Sequence, residues 1–402
     1  MNKPSQSNRN GSALVLVMAV LVIMLVIGVG LLSLGQNSRM QAVRASSDVS
    51  ARSAADAGLT KGLFEMNKKL NVKPWSDSNL PYVVNETLPN CNATFSYRAT
   101  TNAKNVYNIE SIGNSGQVQK TVDSSLKLKG LFEYAIFTNG TLTFMNGITV
   151  DMYNAGAADP ALQIGTNSTL AGAITAKTGV TINGDVVVGV GGNPNTIINS
   201  KLEATITGNT YPAIEQYKMS SITAPAWLQA LPSKGTLSGS STITTSAKYD
   251  SINLNSSQIV TNNGPVTLYV TGNITLDNSA QIQIVDKTTN PDASLTIYLG
   301  GNLVSQNGGI INNLAKDTQK LKIYGLDTCQ SFNFKAGSIF YGAIYAPKAN
   351  VQLNAWVEYY GACVANSFTQ NVKANFHYDA SLRNASVSDA GVCFIIKQWH
   401  EE

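Results

Sequence analysis

Between Arg9 and Arg39 the chain carries no charge, and from Gly11 to Leu34 it is apolar except for Ser12 and Ser33. A helix of that length crosses a hydrocarbon core of ~30 Å. From Gln36 to Leu70 there is no proline, and Ala55, Leu59, Leu63, Met66 and Leu70 follow one another at steps of four, four, three and four. That spacing is the period of an amphipathic helix. The two stretches predict one helix from about Ser12 to Leu70, stopped by Pro74 and roughly 90 Å long at ~1.5 Å per residue. A cleaved secretory signal has a shorter apolar core, of roughly 7–15 residues, with a small-x-small site. A buried core helix would need an apolar partner of similar size, which the polar remainder does not offer. The run therefore reads as a membrane anchor. Lys3 and Arg9 on one flank face Arg39, Arg44 and Arg52 on the other, so charge does not orient it.

After Lys73 the period drops from near four to two. Val83-Val84, Ala93 to Tyr97, Val106 to Ile109 and Val118 to Leu128 read as short strands joined by turns at Asn90, Asn102 and Gly113-Asn-Ser-Gly116. They predict a small antiparallel sheet, residues 73–130, laid on the second half of the helix. From Leu131 the chain repeats itself. Gly172-Ala-Ile-Thr-Ala resembles Gly342-Ala-Ile-Tyr-Ala, a further copy starts at Gly361-Ala-Cys-Val-Ala, and a weaker one at Ala135-Ile-Phe-Thr. Leu268 to Ile274 and Ile297 to Leu303 form another pair. Gly342 and Gly361 stand 19 apart, a spacing that suits one coil of a parallel β-helix. Each copy alternates small or aliphatic residues with polar ones, and asparagines at equivalent corners can stack into hydrogen-bonded ladders. The expected fold is thus mainly β: a long amino-terminal transmembrane and amphipathic helix, a small antiparallel sheet, then a parallel β-helix. An antiparallel sandwich is the competing architecture. First coils are expected over 131–209 and second coils over 240–382, separated by a proline-containing insertion or lid, 210–239, with residues 383–402 as a cap.

Composition narrows the function. Charged residues make up 13% of the 402, and the net charge of +4 is scattered, leaving no electrostatic footprint for specific nucleic-acid binding. Cys91, Cys329, Cys363 and Cys393 lie far apart with no CxxC. They could close two disulfides in an exported domain or remain buried thiols. The only histidines, His377 and His400, are not in a ligand spacing, and His377 reads as a corner or strand residue. Gly189-Val-Gly-Gly192 lacks the following Lys-Ser/Thr of a phosphate loop. Asp151, Asp185, Asp277, Asp286 and Asp292 fit turns better than a calcium loop, and no GxSxG elbow occurs. No cofactor, metal or catalytic residue is therefore expected. Candidate ligand contacts are Trp227 in the insertion and Trp356 and Tyr359 in the later coils, where a carbohydrate or a surface protein is the partner considered.

A basic leader (Lys3, Arg9), a glycine, an apolar helix and then Ala51-Arg-Ser-Ala-Ala-Asp-Ala-Gly-Leu59 resemble the amino terminus of PilX-type minor pilins. The resemblance covers about the first 65 residues. It implies removal of a leader, 1–11, by a prepilin peptidase between Gly11 and Ser12, a transmembrane helix over 12–35 and its amphipathic continuation over 36–72. It also implies an inner-membrane location with the head outside the cytoplasm, and partnership with other pilins through the helix. Major pilins place a glutamate at the fifth mature position, where this chain has Leu16. The phrases Tyr341 to Pro347 and Asn375 to Leu382 resemble uncharacterised β-helix-like domains found behind such starts, which implies no activity. The expected function is a minor pilin or pilin-like surface protein, non-enzymatic, whose head primes assembly or adheres. The alternatives are a membrane-anchored polysaccharide-active enzyme, marked by paired carboxylates about 5–10 Å apart in a groove, and a static envelope protein outside any filament.

Overall fold

The structure, a computed structural model, describes residues 12–72, 75–103, 106–156 and 159–401. The chain divides into two compact units, Met1–Leu128 with Phe394–Glu402, and Lys129–Cys393.

In the first unit one helix, α1 (Ser12–Lys69), runs for 58 residues. It is the one helix among the described residues long and apolar enough to cross a membrane. Its large apolar side chains from Leu14 to Leu34 are all exposed. Its second half behaves differently: of the stepping pattern Ala55, Leu59, Met66 and, just past the helix, Leu70 are buried and Leu63 is half-buried, and Ala51 and Ala54 are buried beside them. They pack under an antiparallel sheet of β1 (Tyr82–Thr87), β2 (Thr94–Ala103), β3 (Val106–Ser115) and β4 (Val118–Lys129). Alternation turns Phe95, Tyr97, Tyr107, Ile109, Val122 and Leu126 inward. Small residues let the backbones approach: a Cβ on Gly113 of β3 would stand 2.0 Å from the Ala51 carbonyl oxygen. Beside this point Ser111 donates its hydroxyl to the Ala55 carbonyl at 2.6 Å. The strand Cys393–Glu401 lies next to β4, so the last residues complete this sheet instead of forming the expected cap. Phe394 holds it there, with its ring 5.0 Å from that of Tyr107.

The second unit is a large parallel sheet in which most strands pair with the one three positions on in sequence, while the long strands Ile339–Leu353 and Glu358–Gln370 pair with each other along their length. Three parallel ladders result, and the copies noted in the sequence are their rungs. Leu268 stands against Ile297, Ala343 against Ala362, and Cys363 against Ile136. Gly342 stacks on Gly361, whose φ is +139° and whose added Cβ would fall 1.7 Å from the Gly342 oxygen, so only glycine fits that rung. The resemblance of 172–176 to 342–346 does not reflect stacking. Ile174 pairs with Leu142 and Ile198, whereas Ile344 pairs with Ile323 and Cys363, which is a different ladder. An inward–outward alternation bounded by glycine suits any ladder equally.

Rungs are not stacked in chain order. Glu358–Gln370 and Asn375–Asp379, late in the sequence, pair with Ile136–Thr138, Leu142–Phe144 and Thr149–Tyr153, the earliest rung. The block from 136 to 212 grows away from this seam, and the block from 236 ends at it. Residues 213–235 connect the two far ends across the outside of the first ladder. Tyr217 lies on Phe137 at 4.6 Å between ring centroids, Ser220 accepts from the Tyr345 hydroxyl, and Gln229 accepts from Lys248. The segment expected as an insertion or lid is this return strap, with Leu228 buried beneath it. Inside, aromatic rings stack at the rung spacing: Phe340 on Tyr359 and Tyr359 on Phe376, both at 4.7 Å between centroids. Amide ladders mark the corners, where Asn354 donates to Asn333 at 2.8 Å and Asn371 to Asn354 at 2.9 Å.

Candidate functional site

The outer surfaces of the three ladders differ, and their side chains follow from register. Outside the first ladder Tyr298, Tyr324, Tyr345 and Phe137 are buried under chain from elsewhere, the strap and the segment leading to Cys393. The second ladder is open along its length. Its outward row reads Asn253, Thr275, Val304, Asn333, Gln352, Thr369, Thr143, Thr175 and Asn199. No member of it is charged. Threonine and asparagine here suit a pleated, half-exposed surface and present hydroxyls and amides at the ~4.8 Å rung spacing.

The third ladder brings ionisable groups together. Tyr341, Tyr360, His377 and Asp151 are successive outward residues of adjacent strands. The rings stack, Tyr341 on Tyr360 at 4.2 Å and 2°, and Tyr360 on His377 at 4.6 Å and 22°. His377 Nδ1 lies 2.5 Å from Asp151 Oδ1, and Nε2 lies 3.2 Å from Glu358 Oε2. Asn375 donates to the other Glu358 oxygen at 2.8 Å. Burial by itself disfavours a charged imidazole, but the hydrogen bond and charge of Asp151, followed by those of Glu358, outweigh it. The result holds the His377 pKa above its ordinary value. Each carboxylate thus sets one oxygen on the same imidazole.

The candidate contacts separate. Trp227 and Trp356 are 54% and 60% exposed. Trp356 occupies a left-handed corner, φ +63°, with Lys373 Nζ 4.2 Å above its ring. Tyr359 is fully buried in the inner aromatic stack, donating its hydroxyl to the Ala362 carbonyl, and offers no surface to a ligand. Strand parity explains the reversal, since Tyr359 points inward and Tyr360 outward. All four thiols, of Cys91, Cys329, Cys363 and Cys393, are free. Burial pushes the Cys329 pKa up to about 12 and raises those of Cys363 and Cys393, which makes them poor nucleophiles. Gly11 lies outside the described residues, and Ser12 is the first residue of α1. Among the described residues no group of three or more His, Cys, Asp or Glu is arranged to hold a metal ion.

The Asp151–His377–Glu358 group was not evident in the sequence because its members come from three strands. The usable signal was the repeat itself: Tyr341-Gly342 and Tyr360-Gly361 align, and the next copy puts His377 in the same column.

A family profile described as a domain of unknown function (DUF7305) matches residues 236–385. No curated protein matches the chain. Among solved structures, a competence-associated pilin, ComZ, from Thermus thermophilus is similar at 12% identity over 89% of this chain and 97% of that one, with a TM-score of 0.21. An ice-binding protein from the Antarctic ascomycete Antarctomyces psychrotrophicus is similar at 13% identity over 61% and 93%, TM-score 0.23. Another from an Antarctic bacterium of the Flavobacteriaceae is similar at 11% identity over 61% and 80%, TM-score 0.20.

Proposed function

We propose that this chain is a membrane-anchored, non-catalytic pilin-like surface protein that displays a β-helical head. The observation that carries the reading is α1. Its first half is apolar on every side and packs against nothing among the described residues, while its second half is the floor of an antiparallel sheet. A helix apolar all round requires lipid or other apolar helices, and one helix serving both needs can hold a folded head at a membrane and pass into a bundle of like helices. In this reading the PilX-type start is processed between Gly11 and Ser12, and the head lies outside the inner membrane. Residues 12–35 pack among other pilins and in the membrane.

The three parallel ladders wind as one β-helix, a geometry supported by the three-strand offset that recurs through most of their pairing. The uncharged second ladder, with Trp356 exposed at its corner, is the surface offered to a carbohydrate or a surface protein, for adhesion or for priming assembly. Its lack of charge also argues against nucleic acid. A polysaccharide-active enzyme is less well supported, because the two carboxylates of the third ladder face one histidine.

Protease added to spheroplasts tests the topology. Digestion of residues 129–401 with protection of 12–35 is the expected outcome, and release of the whole chain by alkaline carbonate would overturn the anchor.

A further inference from the structure

The seam between the two blocks of the parallel sheet is closed without a local covalent link. Strand Thr149–Tyr153 of the first block meets Asn375–Asp379 of the second, and the chain between the blocks runs elsewhere, through 213–235. His377 stands on one side of this seam and Asp151 on the other, with Glu358 beside His377 on the second block. We propose that His377 is a proton-dependent clasp: as an imidazolium it ties the first rung of the chain to the last, and losing its proton loosens that closure.

The chemistry rests on donor count. Ionised carboxylates only accept hydrogen bonds, and both ring nitrogens of His377 face one, at 2.5 Å and 3.2 Å. A neutral imidazole has a single N–H and satisfies one carboxylate while turning a lone pair on the other. The imidazolium satisfies both, and these charge-assisted bonds are the stronger kind. The groups that face His377 are Asp151 and Tyr153 from the first block, Glu358 and Tyr360 from Glu358–Gln370, and Tyr341 beyond Tyr360. Tyr360 lays its ring on the imidazole face, which favours a cation. Tyr153 closes the side, 5.1 Å from Tyr360. Asn375 fixes Glu358 from its free oxygen.

The folded pKa is raised. The stabilisation is therefore fully present below about pH 6.5, the unfolded value, and is lost as pH rises through the folded value. Acid tightens the seam, and mild alkali relaxes it.

The chain contains two histidines, so a His400→Gln background leaves His377 as the single imidazole for NMR titration in the detergent-solubilised full chain. The expected titration lies above about 6.5, and Asp151→Asn lowers it more than Glu358→Gln. Urea midpoints compared at about pH 5.5 and about pH 8.5, on either side of the unfolded value, fall with pH in the parent and lose that component in His377→Gln. A titration at or below about 6.5, or the same pH response in His377→Gln as in the parent, overturns the clasp. Should His377→Gln fail to fold, the Asp151→Asn titration decides: an unchanged His377 value also overturns it.

Discussion

Gly113→Ala tests the junction between helix and sheet. In a strand interior, replacing glycine by alanine ordinarily gains stability, about 0.5–1 kcal/mol, by restricting the unfolded chain. Here the new Cβ falls 2.0 Å from the Ala51 oxygen and 2.4 Å from the Ala55 nitrogen. Both are backbone atoms of α1, which cannot rotate away as a side-chain tip could. The helix has to lift by about an ångström, and forcing such a shift costs about 1–3 kcal/mol. The lift also stretches the 2.6 Å bond from Ser111 to the Ala55 carbonyl, whose loss adds about 1 kcal/mol. The net expectation is a destabilisation of about 1–3 kcal/mol, opposite in sign to the generic effect. Hydrogen exchange on the detergent-solubilised chain, followed at the amides of β2 to β4, reads it without interference from the parallel sheet. Gly30→Ala, where nothing lies within 4 Å of the new Cβ, is the control and is neutral or stabilising. Unchanged or slower exchange in β3 of Gly113→Ala would refute the close approach.

Other expectations follow from the head. Trp356→Gly removes a left-handed strain worth about 1–2 kcal/mol and a cation–π contact with Lys373 worth about 0.5–1 kcal/mol. With the about 0.5–1 kcal/mol that a glycine adds to the freedom of the unfolded chain, these nearly cancel, so stability stays within about 1 kcal/mol of the parent while any adhesion that uses this corner weakens. Tyr359→Ala empties the inner aromatic stack and costs about 3–5 kcal/mol in chemical denaturation, whereas Trp227→Ala on the strap stays within about 0.5 kcal/mol. Maleimide labelling of the native chain modifies Cys91 first, and Cys329 and Cys363 react only after unfolding. Native-state labelling of Cys363 would contradict its burial.

What the sequence revealed, and what it withheld, can be traced to the range of the forces involved. The two halves of α1 were legible because an apolar run and a near-four-residue period are local signals, and of the residues the spacing picks out Ala55, Leu59, Met66 and Leu70 are buried while Leu63 is half-buried. Rungs were legible where copies sit on the same ladder, as with Gly342 and Gly361. Ladder identity was not legible, since Gly172 to Ala176 satisfies its alternation on a different ladder from Gly342 to Ala346. Order along the stack was hidden too. It depends on the pairing of His377 with Asp151 and of Cys363 with Ile136, contacts separated by more than two hundred residues that leave no periodic trace. Tyr359 was misassigned to the surface because one residue of strand parity separates it from Tyr360. Asp151 read as a turn residue and Glu358 fell in no motif, and their meaning appears only when three strands set them around one imidazole.

The central claim is that α1 carries this head into a filament after the leader is removed. Intact mass and amino-terminal sequence, taken from sheared surface filaments and separately from membranes, test it most directly. A chain beginning at Ser12 in the filament fraction is the predicted result. A chain beginning at Met1 and found only in membranes would contradict it.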